Sequence, residues 1–141
     1  MIDLLDTAFQ YCRWGLSVIA TDVLKQSVVK WKEFQNHPAN AEQLTRMFNH
    51  PAAHGLAIVI GRVSGNLEVI DIDSKYDLDT RLLEKLFADI ENSDRGLIKK
   101  LVIAQSRSGG FHLYYRCEEI EPNQPLARRS TTEEERLIHP K

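Results

Sequence analysis

Two carboxylates stand two residues apart in the stretch Asn66-Leu67-Glu68-Val69-Ile70-Asp71-Ile72-Asp73. Its β-branched residues and the turn before it read as a strand. Side chains alternate along a strand, so Ile70 and Ile72 share one face while Val69, Asp71 and Asp73 share the other. Like charges side by side repel each other or recruit a cation. An Asp-x-Asp at a strand end, just before a helix, is therefore a candidate divalent-metal site. The competing reading is a strand running out into solvent, with Asp73 as a turn or helix-cap residue.

A second group lies in Gln105-Ser106-Arg107-Ser108-Gly109-Gly110, followed by His112. Glycines let backbone N–H groups converge on an anion without obstruction, and serine hydroxyls and Arg107 can add donors. His112 falls on the strand face opposite Phe111, Leu113 and Tyr115. The plainer account is a Gly-Gly hairpin turn followed by a half-buried histidine. Lys25, Lys30 and Lys32, with Trp31 among them, can contact phosphates and a base, or form a solvated loop anchored by the tryptophan. His50 and His54 flank Pro51, which breaks any helix that would align them, and read as loop histidines.

The elements that would position these groups follow from periodicity. Leu4, Leu5, Ala8, Phe9 and Cys12 recur at helical spacing, and Gly15 is a helix stop. Leu16–Ala20 reads as a strand. Asn40-Ala41-Glu42-Gln43 reads as a capping box opening a helix whose apolar stripe is Leu44, Met47 and Phe48. Gly55–Arg62 reads as a strand joined to the Asp-x-Asp strand by Val63-Ser64-Gly65. That short connection predicts an antiparallel hairpin with a left-handed last residue. Leu78, Leu82, Leu83, Leu86, Phe87 and Ile90 mark a long amphipathic helix with Asp77 or Asp79 near its start. Leu101–Ala104 and Phe111–Arg116 are further strands.

The 141 residues are enough for one domain with a real core, and 43% hydrophobic with 27% charged residues places the chain among ordinary globular proteins. A formal net charge of −2 does not advertise a nucleic-acid binder, though a local basic patch would suffice. The longest apolar run is too short to span a membrane. Cys12 and Cys117 form no C-x-x-C, and with no signal peptide they read as reduced thiols in a cytoplasm.

Taken in order, the Asp-x-Asp strand, long helix, strand, Ser-rich Gly-Gly loop and histidine-bearing strand resemble the catalytic core of the archaeo-eukaryotic primase superfamily. The closer resemblance is to its bifunctional primase-polymerase branch, common on plasmids, phages and integrated elements. Tyr11 with Trp14-Gly15 is similar to that family's A-x-x-Y-x-x-x-G-W-x-V opening, with Trp and Gly exchanged here. Lys25 followed by Trp31 resembles its Lys…Trp loop. Gly61-Arg62-Val63-Ser64-Gly65, leading to Asp71-Ile72-Asp73, resembles its Gly-x-x-Ser-Gly turn and first catalytic motif. Ser106 to Tyr115 resembles its second. The last two patches in this order, with a helix between, are fairly specific, whereas either alone would not be.

The resemblance implies an α/β (α+β) fold, an RRM-like primase-polymerase core beside an N-terminal α/β unit, with the active site in the cleft between them. It implies Mg²⁺ or Mn²⁺ on Asp71 and Asp73, and His112 with the Ser108-Gly109-Gly110 loop on the triphosphate of an incoming nucleotide. Ser106, Arg107 and Lys25 would be further nucleotide or template contacts. The activity implied is nucleotidyl transfer from nucleoside triphosphates on a single-stranded DNA template in DNA replication, with a helicase module or partner downstream. The family's third carboxylate and its glycine-rich closing segment have no match after Arg116, and Glu133–Glu135 sit in a polar, strandless stretch. The expectation is a partial catalytic core over residues 1–116 and a polar, flexible segment over 117–141, incomplete at the C-terminus. Residues 1–141 alone would then bind metal–nucleotide weakly and extend primers poorly or not at all. The alternative is a catalytically inactive nucleotide- or nucleic-acid-binding domain on the same fold. A metal-dependent Asp-x-Asp nuclease or glycosyltransferase is disfavoured by the Ser-Gly-Gly-x-His pattern.

Overall fold

Helix α1 (Leu4–Arg13) begins where the Asp3 carboxylate accepts the Leu5 N–H at 2.9 Å and the Asp6 N–H at 3.2 Å. Such a cap satisfies donors that the first turn cannot bond internally. The helix stops before Gly15, whose N–H donates to the Cys12 carbonyl. The structure, a computed structural model, describes residues 3–73, 81–106, 109–120 and 122.

Strand β1 (Ser17–Thr21) is buried along its whole length. It pairs antiparallel with β2 (Gly55–Val59), in the register Ser17↔Val59 to Thr21↔Gly55. Helix α2 (Ala41–Phe48) lies between them in sequence, and it opens with the expected capping box: Gln43 N–H to Asn40 Oδ1 at 2.8 Å, and Asn40 N–H to Gln43 Oε1 at 3.0 Å. Ala8, Val18, Ala20, Phe34, Leu44 and Met47 form the heart of the core that α1, α2 and these strands enclose. Phe34, only 3% exposed and inside a one-turn 3₁₀ segment, anchors the lysine-rich loop, while Trp31 remains 37% exposed. The anchoring residue of that loop is therefore Phe34, three positions after the tryptophan.

The expected hairpin between β2 and the Asp-x-Asp strand does not form. That strand, β3 (Leu67–Ile72), touches the end of β2's segment through a single bridge, Gly61↔Leu67. Its partner is β5 (Phe111–Arg116), which in turn pairs antiparallel with β4 (Val102–Gln105), giving the order β3-β5-β4. The contacts of β3 and β5 run in opposite senses: Asn66 O accepts from Cys117 N, while Asp71 meets His112. The two strands are therefore antiparallel. The reason lies in the connection, where Arg62–Ser64 form a 3₁₀ turn. The fully buried Ser64 hydroxyl donates to the Val59 carbonyl and accepts the Ser17 N–H at 2.9 Å. These bonds hold the turn against the β1–β2 pair and lead the chain away from β2. Gly65 adopts the expected left-handed conformation (φ 71°).

Helix α3 (Leu82–Ser93) supplies the long amphipathic helix, and the expected start at Leu78 with Asp77 or Asp79 lies outside the described residues. The fold is thus α+β, with antiparallel sheets. The described residues divide into two compact units: those within Met1–Glu68 and Arg116–Ile120, and those within Val69–Tyr115 with Pro122. Most of the segment expected to be polar and flexible, including Glu133–Glu135, lies outside the described residues. Among the described residues no helix is long and apolar enough to cross a membrane, and Cys12 and Cys117 form no disulfide.

Candidate active site

The alternation of β5 decides which of its side chains face the candidate carboxylates. Leu113 is fully buried on one face. His112 and Tyr114 occupy the other, as period-two geometry requires. On the neighbouring strand, Ile72 is buried and Asp71 points outward with a 70% exposed side chain. Antiparallel pairing then sets His112 beside Asp71, with Nε2 3.3 Å from Oδ1. The other ring nitrogen, Nδ1, lies 3.2 Å from the Tyr114 hydroxyl, and the two rings meet edge to face with centroids 6.0 Å apart. Asp73 is exposed just past the end of β3, two residues beyond Asp71.

The loop between β4 and β5 closes on itself. Ser106 N–H donates to Gly110 O at 2.7 Å, and Gly109 N–H donates to Ser106 O at 3.0 Å. The Gly109 N–H is therefore used inside the loop. Gly110 has a second reason to be glycine: a Cβ there would lie 2.3 Å from the Ile72 carbonyl oxygen. The loop is pressed against the end of β3 at the peptide between the two aspartates. Arg107 and Ser108 lie outside the described residues.

Lys25 belongs to the first unit. It is exposed, with φ 63°, in a turn closed by Asp22 N–H to Gln26 O at 2.8 Å and by Asp22 Oδ1, which accepts from Leu24 and Gln26 N–H. His50 caps its own turn, its Nδ1 accepting from Ala52 N–H, as a loop histidine. Tyr114 is the residue at the site that sequence reasoning passed over. The signal for it was present, because a residue two positions from His112 on a strand must share its face.

Among the described residues no cluster of three His, Cys, Asp or Glu is poised to hold a metal ion. Magnesium does not require one: it keeps several waters and is commonly held by one or two carboxylates plus substrate phosphates. The exposed residues Asp71 and Asp73, a carboxylate pair two positions apart, fit that mode.

Fold and site together describe an α+β protein with an acidic pair at the end of one strand and a histidine beside it on the next. The chain belongs to the bifunctional DNA primase/polymerase N-terminal domain family, whose model matches residues 8–138. Among curated proteins, none matches it.

Proposed function

We propose that this domain transfers nucleotides from nucleoside triphosphates to a primer end on a single-stranded DNA template, with the reacting groups gathered at Asp71, Asp73 and His112. The observation that carries the reading is the Asp71–His112 contact of 3.3 Å between neighbouring strands in a chain of this family. Asp71 and Asp73 would hold Mg²⁺ or Mn²⁺, which when bound stabilises the attacking and leaving oxygens of an in-line displacement. The chain's own residues do the rest. The imidazole of His112 donates to a phosphate oxygen. Ser106 and Gly109–Gly110 shape the rest of the triphosphate site, Arg107 and Ser108 are further donors by residue type, and Lys25, on the first unit, would contact template phosphates. The primer hydroxyl oxygen bonds to the α-phosphorus, its proton is lost, and pyrophosphate leaves.

A second reading, a nucleotide-binding domain without transfer activity, is favoured by the lack of a third metal-ligating side chain among the described residues. Two measurements separate them. Amide shifts on adding a nucleoside triphosphate with Mg²⁺ should fall first at Gly109 to His112. Primer extension on single-stranded DNA should be weak but detectable, and Asp71→Ala should lower it by about 10²-fold or more, as for a group acting within a catalytic unit. Binding without extension would select the second reading, and neither binding nor extension would overturn both.

A further inference from the structure

We propose that Tyr114 is a positioning residue, whose hydroxyl holds the His112 ring in one orientation and in the tautomer that carries its proton on Nε2. The inference deepens the reading of His112 as a phosphate donor and rests on it for its functional consequence.

The argument starts from the two ends of the imidazole. Nε2 lies 3.3 Å from Asp71 Oδ1, and Nδ1 lies 3.2 Å from the Tyr114 hydroxyl. An ionised carboxylate attracts an N–H and repels a lone pair, so its nearness favours a proton on Nε2. A neutral imidazole carries a single N–H, which leaves Nδ1 as an acceptor. A phenol hydroxyl can turn to donate to it. Both contacts therefore select the same tautomer.

The two contacts differ in what happens when the site fills. Asp71 is 70% exposed, and in the proposed function its oxygens would hold a cation. Nε2–H would then be open to donate to a phosphate oxygen. The Tyr114 hydroxyl is not asked to move, and its contact at Nδ1 still favours the proton on the nitrogen facing the site. Without it the ring can flip or exchange its proton, leaving a lone pair toward an anionic phosphate, which is repulsive. Tyr114 suits the task because position i+2 on a strand shares the face of position i, and its edge-to-face packing at 6.0 Å fixes the phenol beside the imidazole.

Tyr114→Phe removes the hydroxyl and keeps the ring, so a role in packing alone predicts no change. The tautomer is read at alkaline pH from the ¹⁵N pattern of the His112 ring in nucleotide-free Asp71→Ala protein, where no carboxylate favours a proton on Nε2. With Tyr114 intact this protein should show the Nε2–H form, and with Tyr114→Phe added a mixture of both forms. In nucleotide transfer, or in nucleotide binding if transfer is absent, Tyr114→Phe alone should raise the KM or Kd for nucleoside triphosphate by roughly three- to tenfold, the scale of one hydrogen bond, with a smaller change in kcat. An Nδ1–H tautomer in the Asp71→Ala protein, or the same single pattern with and without Tyr114→Phe, would overturn the proposal. A mixed tautomer with unchanged nucleotide affinity would leave the positioning of the ring standing and remove the phosphate-donor reading of His112.

Discussion

Replacing Gly110 with alanine probes how closely the β4–β5 loop is held against the strand that carries the aspartates. The added methyl would sit 2.3 Å from the Ile72 carbonyl oxygen and 3.2 Å from Ser106 Oγ. Side-chain carbons essentially never come closer than 3.0 Å to such atoms, so the backbones must part by about 0.7 Å. The serine hydroxyl can rotate away, but the Ile72 carbonyl is fixed in the backbone between Asp71 and Asp73. Overpacking of this kind costs roughly 1–3 kcal/mol of stability, and a misplacement near 1 Å at a reacting site can cost about 10²-fold in rate. Gly110→Ala is therefore expected to lower the urea midpoint, to move the Asp71 and His112 resonances, and to reduce nucleotide transfer on the order of tenfold or more. Gly15→Ala is the control. Its methyl would meet nothing within 4 Å, but its φ of +85° is left-handed, so it should lose about 1–2 kcal/mol and leave the site resonances in place. A Gly110→Ala protein with the wild-type urea midpoint and unmoved Asp71 and His112 signals would refute the close approach.

Ser64→Ala removes the buried hydroxyl that accepts the Ser17 N–H at 2.9 Å and donates to Val59. Leaving that amide without its acceptor should cost about 1–3 kcal/mol in urea unfolding, and a loss under about 0.5 kcal/mol would argue that the turn is held by other contacts. Burial pushes the Cys12 thiol above its ordinary value of 9.0, against the lowering effect of a backbone hydrogen bond from Val18. The raised folded value means that this stabilisation is full below the unfolded pKa and is lost as pH rises through the folded one. Iodoacetamide at about pH 8 should therefore modify Cys12 more slowly in the folded protein than in urea, because the thiolate is the nucleophile. Equal rates would contradict the burial.

What the sequence determined by itself was local. Asn40 and Gln43 make their capping box because both partners lie within one helical turn. Phe111–Arg116 is a strand at its expected bounds because alternation is a property of consecutive residues. Gly65 is left-handed because the turn admits little else. The tertiary structure decided which strand edges meet. The Gly61–Gly65 connection carries hairpin signals, yet β2 pairs with β1 and β3 with β5. Pairing depends on distant edges, and Ser64 contributes by bonding to Ser17, 47 residues away in sequence. The site divides the same way. Asp71, Asp73 and His112 stood out by residue type and position, but their types could not say that Asp71 and His112 would touch. That contact comes from antiparallel register between positions 41 apart in the chain, set by backbone hydrogen bonds along β3 and β5 and by burial of Leu113 and Ile72 on their apolar sides.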